Sequence, residues 1–197
     1  MIGQAAQAKD TQGISLGQAI PMSSPPSSIQ VLPLKFRLMK LEDVGRVHEI
    51  DVLSFSLPWP EKSFRFELTE NPSTLALVAE IQPESASALL IGTSVVWIIL
   101  DEAHIATIAI HPDFRGRGYG KRLLAETLRR SIQRGARLAT LEVRASNLVA
   151  QQMYREFGFT IVGRRLHYYR DNDEDAILMT VDNLGSRYLA RLDELGK

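Results

Sequence analysis

The chain has no cysteine among its 197 residues, which excludes a disulfide framework, a thiolate zinc site and a cysteine nucleophile together. Its four histidines, His48, His104, His111 and His167, show no metal-ligand spacing, so no metal is expected. Net charge is missing too: 23 Lys and Arg balance 23 Asp and Glu, which implies no general attraction to nucleic acid or to a membrane surface. The most apolar span, Ala88 to Leu100, is too short and too interrupted to cross a bilayer, and the N-terminus lacks the basic start and long apolar stretch of a secretory signal. A cytoplasmic protein with one domain and a core of ordinary size is the expectation.

What is present is unevenly distributed. Residues 1–33 are rich in Gln, Ala, Ser and Pro and include the run Pro21-Met22-Ser23-Ser24-Pro25-Pro26-Ser27-Ser28, with too little apolar surface to offset the entropy of ordering. A disordered tail is expected there. From Leu34 the pattern predicts a strand over Phe36 to Lys40, then a helix opened by Glu42-Asp43 with Val44, Val47, Ile50 and Leu53 at three-residue steps. Ser56-Leu57-Pro58-Trp59-Pro60 breaks it, and Pro60 can serve as the first residue of a second helix running to about Leu68. Three strand-like runs follow, Thr74 to Ile81, Leu89 to Leu100 and His104 to Ile110, with breaks that suit an antiparallel meander. Leu124, Leu128 and Ile132 then mark a helix closed by Gly135, Leu138 to Val143 a strand, and Ser146-Asn147 the cap of a helix through about Glu156. Phe159 to Tyr169 and Ala176 to Val181 are strand-like about a polar turn. The order βααβββαβαββ makes a single α/β or α+β domain over 34–182, a mixed, mostly antiparallel sheet flanked by helices. Residues 183–197 have helical spacing at Tyr188, Leu189 and Leu192 and are expected to be an extension without an assigned role.

The stretch Ile108 to Leu124 organises the rest: an apolar strand, then Arg115-Gly116-Arg117-Gly118-Tyr119-Gly120, then a helix. Glycine lets the backbone approach a ligand closely, and the first helical turn offers N–H groups without internal partners at the positive end of a dipole, so an oxyanion of a phosphate is the natural guest. Between Arg115 and Arg137 eight Lys or Arg stand against Glu126 alone, which fits a polyanionic ligand and equally a solvated helix face. A Walker loop is excluded because position 115 is arginine where glycine is needed, and the dinucleotide fingerprint fails because Lys121 occupies its third small position.

Arg-x-x-Gly-x-Gly after a strand ending in His-Pro-Asp resembles the acetyl-CoA loop of the GNAT superfamily of N-acetyltransferases. The resemblance spans about Leu34 to Val181. Leu141-Glu142-Val143-Arg144-Ala145-Ser146-Asn147, Met153-Tyr154, Phe157-Gly158-Phe159, Leu57-Pro58-Trp59, Tyr168-Tyr169 and Glu174 to Met179 extend it to the group that acetylates protein N-termini, alanine-starting ribosomal proteins among them. It implies acetyl-CoA as co-substrate and a protein N-terminus, plausibly of a ribosomal protein, as partner. Main-chain groups of Ile108, Ala109 and Ile110 would hold the pantetheine arm and polarise the thioester, and Arg115, Gly116, Arg117, Gly118, Tyr119 and Gly120 would wrap the pyrophosphate through N–H groups. Asn147 matches a cofactor-contacting asparagine, although a helix N-cap explains it as well.

In the same resemblance Glu142 is the candidate base and Tyr154 the candidate acid or hydrogen-bond donor to the leaving sulfur. A solvated strand residue and a packed helix residue are the plain alternatives for the two. Leu57, Trp59, Tyr168 and Tyr169 could wall a groove for an extended peptide or could be core. The acidic turn Asp171, Asp173, Glu174 and Asp175 could attract a cationic peptide or be a solvated hairpin tip. A lysine side chain or small amine as acceptor, and a catalytically silent acyl-CoA-binding module, remain open.

Overall fold

In the computed structural model the described residues are 33–82 and 87–196, so the tail expected over 1–33 lies outside them except for Pro33. Seven strands form one sheet: β1 (Leu34–Leu38), β2 (Thr74–Ile81), β3 (Leu89–Ile99), β4 (Glu102–Ile110), β5 (Leu138–Arg144), β6 (Thr160–Tyr169) and β7 (Glu174–Val181). Their spatial order is β1-β2-β3-β4-β5-β7-β6, and β4 with β5 is the parallel pair among antiparallel neighbours. A parallel pair needs a crossover, which α3 (Tyr119–Gln133) provides.

Two features of β4 shape everything nearby. Val95 pairs with Thr107 but Val96 with Ile105, so Ala106 is an extra residue bulged out of the ladder. One inserted residue reverses which face the following side chains take. Accordingly Ala103 and Ile105 pack with Leu124 and Leu128 of α3, whereas Ala109 packs on the opposite layer with Val47, Ile50 and Phe64. The β4–β5 ladder also stops at Ile105 and Leu141. Beyond that point the strands part, leaving a cleft between Ala106–Ile110 and Glu142–Arg144.

The layer over one face holds α1 (Val44–Ser54), entered through a 3₁₀ turn at Leu41–Asp43, and α2 (Glu61–Thr69). Pro60 turns out to be the N-cap of α2 rather than its first residue; its ψ of 142° is extended, outside the helical region. Val44, Val47 and Ile50 are buried as expected, but Leu53 is 54% exposed. Each three-residue step falls about 60° short of a full helical turn, so three steps carry a side chain to the far side. Asp51, seven residues after Val44, takes the inward place and is only 1% exposed. Its Oδ2 accepts the Trp59 N–H at 2.7 Å, which anchors the α1–α2 loop to α1, and burial pushes the Asp51 carboxyl above its usual pKa despite that bond. Asp51→Ala strands the Trp59 N–H and is expected to cost about 1–3 kcal/mol, read as a fall of several degrees in Tm by calorimetry.

The other face is covered by α3, α4 (Leu148–Glu156) and α5 (Ser186–Leu195). The segment after 182 is therefore no appendage. Leu184, Tyr188 and Leu192 are buried in the same cluster as Leu124, Phe157 and Met179, and the Tyr188 hydroxyl donates to the Phe157 carbonyl at 2.6 Å. The helix and the sheet belong to one compact unit.

Candidate active site

The cleft between β4 and β5 presents main-chain groups selectively. His111 N–H donates to the Ile91 carbonyl at 2.8 Å, and two residues back in the same register Ala109 faces Thr93. Hydrogen-bonded and non-bonded pairs alternate in an antiparallel ladder, so the Ala109 N–H and C=O are directed at β3 while those of Ile108 and Ile110 turn toward β5. Of the three residues expected to offer backbone groups, Ala109 is thus engaged within the sheet. The Ile110 carbonyl accepts Arg115 Nε at 2.9 Å, which leaves Ile108 as the residue with both groups aimed into the cleft.

At its lower end the cleft meets the glycine loop. Gly118 is the N-cap of α3 at φ 78°, with no side-chain cap, and among the described residues nothing accepts the N–H groups from Gly116 to Lys121. A side chain added at Gly116 or Gly118 would meet nothing within 4 Å, so the space above the loop is open. The side chains of the loop face elsewhere. Arg115 also donates to Ser54 Oγ at 2.8 Å, Arg117 donates to the Asp113 carbonyl at 3.0 Å, and Tyr119 is buried beside Leu123 and Ile110. The loop is therefore a cradle of amides held in shape by its own arginines. Asn147 caps α4, its Oδ1 accepting from Ala150 N at 3.1 Å, so the oxygen serves the helix and the amide N–H groups are its donors toward a ligand.

The two candidate chemical groups lie on opposite sides of the cleft. Ala139, Leu141 and Val143 of β5 face the α3 layer, so Glu142 faces the α1–α2 side with its side chain 29% exposed. Its Oε1 lies 2.8 Å from Arg165 Nη1, and the neighbouring carboxylate holds the Tyr168 phenol above its usual pKa. Tyr154, on α4, is 6% exposed and packs against Phe159 at 5.7 Å between ring centres. Burial drives the Tyr154 phenol well above its usual pKa, and Tyr169 nearby adds to the shift.

A model of the acetyltransferase (GNAT) family matches residues 44–159. The chain belongs to the GNAT acetyltransferase family. A Bacillus subtilis protein provisionally named a ribosomal protein bS18-alanine N-acetyltransferase is 42% identical over 74% of this chain and 93% of its own length. The ribosomal protein bS18-alanine N-acetyltransferase of Salmonella typhimurium is 32% identical over 73% and 94%. The crystal structure of the ribosomal-protein-S18-alanine N-acetyltransferase from Escherichia coli superposes with a TM-score of 0.69 at 27% identity, covering 78% of this chain and 96% of that one. This GNAT domain is an acetyl-CoA-dependent N-acetyltransferase, and its residues fit that co-substrate: free amides from Gly116 to Lys121 for the phosphates, and the cleft at Ile108 for the arm that carries the acetyl group.

On the β6–β7 hairpin beside Glu142, Tyr168 and Tyr169 meet edge-on at 5.2 Å between ring centres, and burial pushes the Tyr169 phenol up to about 12. Leu57 is exposed on the α1–α2 loop. Trp59 is turned partly away: it stacks on Trp97 at 6.2 Å and lines, with Phe66 and Glu67, a pocket of about 510 Å³ that contains neither Glu142 nor Tyr154. The acidic turn is not an open patch of negative charge. Asp171 and Glu174 pair with Arg144, Asp175 with Arg164, and Asp173 lies 2.8 Å from His167 Nδ1. Arg144 and Arg165 beside the candidate base, and Asp51 beneath the α1–α2 loop, are residues to which pattern reading assigned no role. Arg144 alternates with Glu142 along β5 and Asp51 falls at a helical step from Val44, which are their only sequence signals; Arg165 has none.

The Glu174 carboxyl is pulled down to about 2, first by Ser146, whose hydroxyl and N–H both donate to it, with Asn172 and Arg144 adding. A carboxylate held below its unfolded pKa of about 4.3 contributes stability that is complete above that value and is lost as pH falls toward 2. Thermal unfolding followed from pH 5 to pH 2 (about three units) is expected to show a falling Tm whose slope Glu174→Gln reduces slightly, since Asp43, Asp171 and Asp175 are also held low in the fold.

Proposed function

We propose that the protein transfers the acetyl group of acetyl-CoA to the N-terminal α-amino group of a protein, an alanine-starting ribosomal protein of the bS18 kind. The observation that carries this reading is the position of Glu142: on the α1–α2 side of the parted strands, beside Arg165 and Tyr168 and two residues from Arg144, which holds Ser56 of the α1–α2 loop. The names of the relatives that match along nearly their full length support the same acceptor.

The co-substrate supplies an activated thioester; the chain supplies the rest. The Ile108 N–H, directed into the cleft, is placed to donate to the oxygen on which charge develops. Glu142 takes the proton of the attacking amine, directly or through a water. An α-amino group with pKa near 8 needs less than about 1 kcal/mol to be neutral at pH 7.5, against roughly 4 for a lysine near 10.4, so one carboxylate suffices for an N-terminus. Tyr154 enters from the α4 side. A phenol whose burial raises its pKa is a weak proton donor to a thiolate of pKa about 8.5, so Tyr154 acts by hydrogen bonding to the leaving sulfur rather than by full transfer.

Purified protein incubated with acetyl-CoA and a panel of N-terminal peptides, a lysine-containing N-blocked peptide and a polyamine tests the acceptor. Mass spectrometry should find acetylation at the α-amino group of alanine-starting peptides. Acetylation of the polyamine or the blocked peptide alone would transfer the reading to a small-amine or lysine acetyltransferase, and no acetylation with intact cofactor binding would make the chain a silent acyl-CoA-binding module.

A further inference from the structure

One guanidinium on β5 joins two separate segments beside Glu142. Arg144 Nη2 donates to Ser56 Oγ of the α1–α2 loop at 2.8 Å and to Asp171 Oδ1 and Oδ2 of the β6–β7 turn at 2.9 and 2.8 Å. Arg144 Nη1 donates to Asn172 Oδ1 and Glu174 Oε2, both at 3.0 Å. The plane stacks on Tyr169, 3.9 Å from the ring centre. Ser56 and Asp171 are also hydrogen-bonded to each other, which joins the two loops directly. The β5–α4 turn is drawn into the same knot: Ser146 N donates to Glu174 Oε1 at 2.6 Å and Ala145 N to the Asp175 carbonyl at 3.0 Å.

We propose that Arg144 is a positioning residue that straps the α1–α2 loop to the β6–β7 turn and so sets the width of the groove that receives the acceptor. The inference rests on the function proposed above and goes beyond it by naming what holds the groove together. Three observations carry it. Arg144 and Glu142 are two residues apart on one strand and therefore project from the same face, so the strap lies on the side of the candidate base. The β6–β7 hairpin that Arg144 fixes also supplies Arg165 and Tyr168 to Glu142, so a shift of that hairpin moves the groups around the base. Finally, both Nη groups are engaged at once: five oxygens and one aromatic face on a single side chain, a geometry that a lysine cannot reproduce. Partly exposed ion pairs of this kind add little to global stability, so the consequence falls on local geometry.

The full-length chain carrying Arg144→Lys, Ser56→Ala, Asp171→Asn or the last two together decides the matter. With an alanine-starting peptide, Arg144→Lys should raise the peptide KM by about tenfold or more, while the acetyl-CoA Kd measured by calorimetry stays within about twofold. Ser56→Ala and Asp171→Asn should each raise the peptide KM by about threefold, and the pair should do no more than the larger single change, because both cut one strap. Amide hydrogen exchange supplies a readout that needs no turnover: Asp171→Asn should speed exchange in residues 55–57 as well as 170–173. An unchanged peptide KM in Arg144→Lys, an equal rise in acetyl-CoA Kd, or exchange in Asp171→Asn that is faster only within its own turn would each overturn the proposal. Were the wild-type chain to acetylate none of the peptides, the acceptor reading would fall, and exchange in Arg144→Lys, faster in both 55–57 and 170–173 or unchanged, would still decide whether Arg144 ties the loops.

Discussion

Glu142→Gln is expected to lower kcat on an N-terminal peptide by about two to three orders of magnitude while leaving acetyl-CoA affinity within about twofold. The substitution keeps the shape and a hydrogen-bonding oxygen for Arg165 and Tyr168 but removes the ability to take a proton. Nothing in the cradle from Gly116 to Lys121 touches this side chain, which is why binding and turnover should separate. The ion pair with Arg165 does not argue against a base role. The Arg165 side chain is 53% exposed, and a pair so open to water has little net strength, so an incoming ammonium can displace it. Tyr154→Phe should cost less, about tenfold in kcat, because the raised phenol already forbids complete proton transfer and only a hydrogen bond is lost. Stopped assays at saturating acetyl-CoA check both. Turnover of Glu142→Gln within a few-fold of wild type would remove Glu142 from the chemistry and leave the positioned amides as the principal source of rate.

The order of strands and helices was legible because each of β2, β3, β4 and α3 carries its own period and its own breaks, and the glycine loop between β4 and α3 announces itself locally. What escaped reading is what depends on long-range registration. The bulge at Ala106 has no local signature, yet it decides that Ala109 and Ile105 enter different layers and that Ala109 faces β3 rather than the cleft. Leu53 looked buried because three-residue steps mimic a helical repeat until the accumulated rotation is counted, and Asp51, to which the pattern assigned nothing, takes the inward place and anchors Trp59. The helix after 182 lacked a partner in sequence; its partners are α3 and α4, tens of residues earlier. Arg144 shows the limit most clearly. Its side-chain hydrogen-bond partners lie 27 to 88 residues away along the chain, so its pattern gives a charged strand end and its position gives a strap. Glu142 and Tyr154 are candidates through resemblance, whereas their burial and neighbours are set by the fold.

Gly118→Ala should give the converse of Glu142→Gln: acetyl-CoA Kd raised by about tenfold to a hundredfold, with kcat at saturating cofactor nearly kept. Gly118 stands at φ 78° immediately before the first turn of α3, and an added methyl would meet no atom within 4 Å. The penalty is therefore conformational rather than a clash, about 1–2 kcal/mol for a side chain held at that φ. For a chain of this length that corresponds to a Tm lower by roughly 2–8 °C. Relief of the strain requires φ to move, and moving it rotates the peptide planes whose N–H groups form the cradle, so affinity falls by more than stability does. Gly135 provides the control. It also has positive φ, 98°, with open space around it, but it ends α3 at the far end of that helix from the glycine loop. Gly135→Ala should lower Tm by a similar amount and leave acetyl-CoA affinity unchanged. If calorimetry finds the two variants equal in acetyl-CoA affinity, backbone strain alone explains the glycines and the amides from Gly116 to Lys121 do not hold the phosphates.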